Sequence, residues 1–123
     1  MTWILDSDRP IYTQIIEKLS LDIVSGIYSP GQKIPSVREL ALIASVNPNT
    51  MQKALSELER IGLVYSHRTS GRFITEDIHL IEKYKKHLAL EEITKFFEKM
   101  NQLGLKREET LSYIENILKE EQS

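Results

Sequence analysis

Asn49, Lys53 and Ser56, flanked by Thr50 and Gln52, carry the chemistry most readily read from this 123-residue chain. Wound at 100° per residue they gather on one side of a helix, while Met51, Ala54, Leu55, Leu58 and Ile61 gather opposite. An Asn or Gln amide can donate and accept together at an adenine edge, Thr and Ser hydroxyls can bond bases or phosphates, and a lysine ammonium answers phosphate charge. The bland reading of the same residues is a solvated face, which every surface helix has. The neighbouring segments favour the first reading. Arg68 and Arg72 bracket Thr69-Ser70-Gly71, with no acid nearer along the chain than Glu76, so Arg68, Ser70, Gly71 and Arg72 can meet a phosphate backbone or a narrow minor groove. Ser36 and Arg38 stand at an earlier helix start and supply a hydroxyl and a third guanidinium.

Catalytic chemistry finds little to work with. His67, His79 and His87 are the only histidines and none belongs to a metal-ligand or triad pattern. His87 and Glu91 lie one helical turn apart, but two ligands are fewer than a zinc site needs. There is no cysteine and no Gly-rich phosphate loop. No enzyme, metal or cofactor is expected.

The elements that must position these residues can be read from their ends. Ser36-Val37-Arg38-Glu39 is an S-x-x-E capping box, opening a helix whose inward side is Val37, Leu40, Ala41 and Ala44. Eleven residues on, Asn47 serves as N-cap with Pro48 at the first helical position. Two short helices so closely spaced read as a helix-turn-helix. Leu63 to Thr75 then holds two runs of β-branched and aromatic residues around a polar turn, a hairpin placed as the wing of a winged helix. Upstream, from Pro10 to about Ser25, Tyr12, Ile15, Ile16, Leu19 and Ile23 form an apolar stripe, ended by Gly26. Ser29-Pro30-Gly31 is turn chemistry leading to Ile34-Pro35.

Taken together, Pro10-Ile11-Tyr12-x-Gln14-Ile15, Gly26, Ser29-Pro30-Gly31, Ile34-Pro35-Ser36-x-Arg38-x-Leu40-Ala41, Val46-Asn47-Pro48-Asn49-Thr50 and Gly62-Leu63-Val64 resemble the DNA-binding domain of GntR-type bacterial transcriptional regulators. The short tail resembles the YtrA subfamily. The resemblance covers residues 8 to 76 in motif detail and implies a repressor. One departure is Thr69, standing where such regulators commonly have a second glycine at the wing tip.

Residues 1–77 are therefore expected to form a winged helix-turn-helix domain and residues 78–123 a helical dimerisation and regulatory tail, giving a mainly α fold with a small β-hairpin. Ile78 to Leu103 reads as one long helix, ended by Gly104, and about Arg107 to Glu120 as a shorter one whose start, Leu105-Lys106-Arg107, lacks a good N-cap. The long helix changes face between Ile81, Tyr84, Leu88 and Ala89, Ile93, Phe96, Phe97, Met100, so that one stripe can pack locally and the other on a different partner, while Leu111, Ile114, Ile117 and Leu118 stripe the last helix. So small a hairpin cannot close a core alone. Ile81, Tyr84, Leu88, Ile93, Phe96, Phe97, Met100, Leu111, Ile114 and Leu118 are accordingly assigned to a homodimer interface, which suits two half-sites of a pseudo-palindromic operator in double-stranded DNA.

Two other readings compete. In one, a small-molecule effector sits between tail and winged domain against Tyr84, Phe96, Phe97 and Tyr113. In the other, the winged helix binds only protein, which the polar face of the second short helix argues against. The net charge of −2 divides evenly: residues 1–77 and 78–123 each hold eight Lys and Arg against nine Asp and Glu. Because screening limits reach to about 10 Å, Arg38, Lys53, Arg68 and Arg72 are expected to make a positive face on an acidic body. Met1-Thr2-Trp3-Ile4-Leu5-Asp6 has neither part of a signal peptide and no apolar run is of membrane-spanning length, so a cytoplasmic protein without membrane partners is expected.

Overall fold

The computed structural model describes residues 3–122; Met1 and Thr2, in the start read as lacking a signal peptide, and Ser123 lie outside the described residues. The elements run α1 (Ile11–Val24), α2 (Val37–Ala44), α3 (Pro48–Ile61), β1 (Val64–His67), β2 (Gly71–Ile74), α4 (Ile78–Gln102) and α5 (Arg107–Gln122). This is a winged helix-turn-helix followed by two helices. The chain divides into two compact units between Lys85 and Lys86, within α4 and eight residues beyond the 77/78 boundary read from sequence.

In the first unit α3 is the central element, packed against α1, α2 and β1. Its Met51, Ala54, Leu55 and Leu58 are fully buried, meeting Ile15, Leu19 and Ile23 of α1 and Leu40, Ala41 and Ala44 of α2. The capping box forms as the sequence implies: Ser36 Oγ accepts from Glu39 N at 3.2 Å, and Glu39 Oε1 accepts from Ser36 N at 3.4 Å. Helix α2 ends at Ser45, a non-glycine residue in the left-handed region (φ 57°), where Val46 N–H returns to Ala41 O at 3.0 Å. That reversal makes the turn short enough for Asn47 to cap α3 two residues later. Buried Gln14 explains its place in the Pro10–Ile15 motif. Its amide accepts from Asp6 N at 2.7 Å and donates to Asp6 O and Arg9 O, tying the N-terminal segment to α1.

The wing is antiparallel, with Val64 opposite Ile74, Ser66 opposite Arg72 and His67 opposite Gly71. Gly71 takes φ 100°, and Ser70 N–H donates to His67 O at 3.2 Å to close the three-residue loop. Thr69 is not among the residues of positive φ, so this loop has no need of the second glycine that Thr69 replaces. The segment read only as a turn does more. Ile34 N–H donates to Arg72 O at 3.0 Å and Ile74 N–H to Gln32 O at 2.8 Å, with Lys33 bridging Phe73, so residues 31–34 line the other edge of β2.

Helix α4 starts with Asp77 Oδ1 accepting from Leu80 N at 3.1 Å. Its first turns belong to the winged unit. Ile81, assigned from sequence to the dimer interface, is buried in the winged-domain core, and Tyr84 packs against that core. Both lie within the first two turns of α4 and meet the winged-domain core there.

The second unit has little interior. From Lys86 to Gln122 the single buried residue is Thr110. Helix α5 begins at Arg107 without a conventional N-cap, and Glu109 Oε1 instead accepts from Lys106 N at 3.1 Å. Phe97 is half-buried with the Arg107 guanidinium 5.3 Å over its ring, and its edge meets Phe96. One face of the Phe97 ring is thus covered by a cation of its own tail. Leu90, Ile93, Phe96, Leu111, Tyr113, Ile117 and Leu118 are all exposed, while Leu88, Met100 and Ile114 are partly covered.

Candidate nucleic-acid interface

The interface is built on α3. Asn47 Oδ1 accepts from Asn49 N at 2.7 Å, fixing the helix start and leaving the Asn47 amide both N–H donors and one lone pair for a ligand. Ser36 Oγ is similarly engaged as an acceptor in its capping box and retains its hydroxyl proton. Asn49, Gln52, Lys53 and Ser56 are exposed and Thr50 is half-buried at the edge. Gln52 Nε2 donates to Ser56 Oγ at 3.4 Å, so these two side chains lie together along the helix. Beneath them Met51, Ala54 and Leu55 are completely buried, so the polar row rests on a rigid floor. Arg38 is exposed in the first turn of α2.

A groove of about 650 Å³ borders this row, lined by Tyr12, Gln52, Lys53, Ser56, Glu57 and Arg60. Tyr12 is thus a residue that sequence reasoning misplaced. The periodicity of α1 counts it in the apolar stripe, whereas the residue is 37% exposed beside the polar face of α3. Its period is right for the core, and the i, i+3 and i+4 rule has no way to mark the edge of the stripe.

At the wing, Arg68 and Ser70 are exposed at the tip. Arg72 departs from expectation: its Nε donates to Glu59 Oε1 at 2.7 Å, and Ser66 Oγ donates to the same oxygen. Burial pushes the Glu59 carboxyl upward, but the bonds from Ser66 and Arg72 and the charge of Arg72 outweigh it and hold it below the ordinary glutamate range. The nearest acid to Arg72 is therefore Glu59, thirteen residues earlier, brought across by the fold. Arg60 is likewise paired with Glu57. The positive face expected from sequence consequently shrinks at Arg72 and gains Lys33, whose Cε would lie 3.2 Å from a Cβ placed on Gly71. Only the pairing along β2 brings Lys33 to the wing.

Two of the four aromatics proposed for an effector border spaces within the tail. Phe97 lines a space of about 340 Å³ within the tail, with Thr94, Glu98, Asn101, Leu105, Arg107 and Thr110. Phe96 borders a different, open one. No cluster of three or more His, Cys, Asp or Glu suited to a metal occurs among the described residues, and none of their helices is long and apolar enough to cross a membrane.

Known proteins share this arrangement. The family "Bacterial regulatory proteins, gntR family" matches residues 11–74. YhcF of Bacillus subtilis (strain 168), an uncharacterized HTH-type transcriptional regulator, is 42% identical over 108 residues, covering 88% of this chain and 89% of YhcF. The HTH-type transcriptional repressor YtrA of the same organism is 49% identical over 71 residues, 58% of this chain and 55% of YtrA. A GntR family transcriptional regulator from Listeria monocytogenes has a TM-score of 0.84 at 37% identity, covering 91% of this chain and 98% of that one. AraR(DBD) in complex with operator ORX1 has a TM-score of 0.55 at 32% identity, covering 61% of this chain and 95% of that one. The named relatives are transcription regulators rather than enzymes. With its winged helix-turn-helix matched from α1 to β2, the chain belongs to the GntR family of bacterial regulatory proteins, as a DNA-binding transcriptional regulator.

Proposed function

We propose that the chain is a cytoplasmic repressor that binds an inverted-repeat operator as a homodimer, with α3 in the major groove and the wing on the adjacent backbone. The observation that carries the reading is the division of α3 into a fully buried apolar side and an exposed row of Asn49, Gln52, Lys53 and Ser56. In that arrangement the amides read base edges, while Lys53, Arg38, Arg68 and Lys33 answer phosphates. Pairing through the tail is supported by its exposed Ile93, Phe96, Leu111 and Leu118 and by the near absence of an interior between Lys86 and Gln122. The relative YtrA is named a repressor, and AraR(DBD) was solved on an operator, which supports the sign and the partner.

A small-molecule effector is the second reading. It is favoured by the tail cavity of about 340 Å³ walled by Phe97 and Arg107.

Selection from a random duplex pool with the full chain tests the main reading. The enriched sequences are expected to contain two inverted half-sites about one helical turn, roughly 34 Å, apart. Enrichment of a single unrepeated site, or none, would overturn it.

A further inference from the structure

A two-stranded hairpin is marginal by itself, so the attitude of this wing depends on what holds its inner face. Side chains alternate across the sheet, and the register puts the Val64–Ile74 and Ser66–Arg72 pairs on one face and Tyr65, Phe73 and His67 on the other. The outer face is stacked on itself: the Tyr65 and Phe73 ring centroids lie 5.7 Å apart and the His67 ring meets the edge of Phe73 at 6.2 Å. On the inner face Val64 and Ile74 are buried in the core. One rung further out, beyond the reach of apolar packing, both members of the next pair converge on a single carboxylate oxygen of α3, Glu59 Oε1. The Arg72 side chain is only 19% exposed and that of Glu59 30%, so this contact is shielded more than an ordinary surface pair.

Glu59 stands seven residues after Gln52, nearly two full turns along α3 and hence on the same side of it. The recognition row is therefore bounded on its wing side by an acid, an arrangement that repels phosphate unless the acid has another task. Of the guanidinium's five N–H donors the bond to Glu59 engages Nε, leaving the others to meet a backbone oxygen.

We infer that Glu59 is a positioning residue for DNA recognition: by gripping Ser66 and Arg72 it locks the wing to the recognition helix, so that Arg72 meets the backbone only when α3 is seated in register with the bases. This rests on the reading that both α3 and the wing contact DNA. It assigns Arg72 mainly to specificity, because its charge is already balanced by Glu59 and adds little to unspecific attraction.

The test is a set of titrations of full-length Glu59→Ala, Glu59→Gln, Arg72→Ala and the Glu59→Ala/Arg72→Ala double variant, against selected operator and random duplex at several salt concentrations. Glu59→Ala is expected to lose about tenfold in operator affinity, within the usual coupling range for contacting residues, while random-duplex affinity holds or rises and its salt slope steepens as Arg72 is freed. Glu59→Gln, which keeps an acceptor oxygen, should retain most of the operator preference. In the Arg72→Ala background Glu59→Ala should cost little more. If Arg72→Ala weakens operator binding but Glu59→Ala and Glu59→Gln bind as tightly as the parent chain or tighter, the positioning role is overturned and the wing contact stands. If Arg72→Ala itself changes nothing, the wing contact fails and the inference with it. Equal losses on operator and random duplex in Glu59→Ala, with a lowered melting temperature, would reduce Glu59 to a structural part and also overturn the inference.

Discussion

Asn49 and Lys53 lie one turn apart on the same exposed row of α3, yet they should fail differently when removed. An amide that bonds a base edge discriminates between sequences, whereas an ammonium facing phosphate sees every duplex alike. Asn49→Ala is therefore expected to lower operator affinity by about 1–3 kcal/mol with little change on random DNA. Lys53→Ala should weaken both and reduce the salt slope by about one unit. Anisotropy titrations at matched salt distinguish them, and equal losses on both duplexes for Asn49→Ala would remove it from base reading. At this scale the sequence was a good guide where a side chain acts through its own helix, as at Ser36 and Asn47, because capping partners lie two or three residues away. It was a poor guide at Arg72. That arginine looked uncompensated because charge was judged along the chain, while the acid that binds it arrives from α3 through tertiary folding.

Among the elements, the turn between α2 and α3 sets how the recognition helix is presented, and its strain lies at Ser45. A left-handed conformation costs a non-glycine residue about 1–2 kcal/mol, part of which glycine returns through its greater freedom in the unfolded chain. Ser45→Gly should thus stabilise the winged unit by about 0.5–1 kcal/mol without loss of operator binding, given the size of the glycine entropy cost. Denaturant unfolding followed by circular dichroism measures this, and a lowered midpoint would contradict it. Every helix was legible from periodicity and end chemistry, and the hairpin from its β-branched runs. The pairing of residues 31–34 along β2 was not, since three or four residues carry no period and their bonds depend on a strand forty residues later. The opening turns of α4 were legible only as a stripe. Ile81, Tyr84 and Leu88 form a good stripe, but a stripe does not name its partner, and the core nearest Ile81 is that of the winged unit.

For the whole molecule, the tail poses the principal question of energetics. Its exposed leucines, isoleucines and Phe96 surround an interior whose one fully buried residue is a threonine with no hydrogen-bond partner for its hydroxyl. Apolar burial contributes about 25 cal/mol per Å², so covering those side chains with a second copy offers the tail what its own fold does not supply. Pairing would also join two recognition helices, making the second half-site contact intramolecular and raising affinity by about 10²–10⁴. Phe96, 41% exposed with its ring edge-on to Phe97, is the residue through which to break it. The most direct measurement is sedimentation equilibrium of the parent chain and Phe96→Glu at micromolar concentration, paired with titration of the two-half-site operator. The account predicts a dimeric parent, a monomeric variant with an intact winged unit, and an operator affinity reduced by about 10²-fold or more; a Phe96→Glu chain that remains dimeric and binds the operator as the parent does would contradict it.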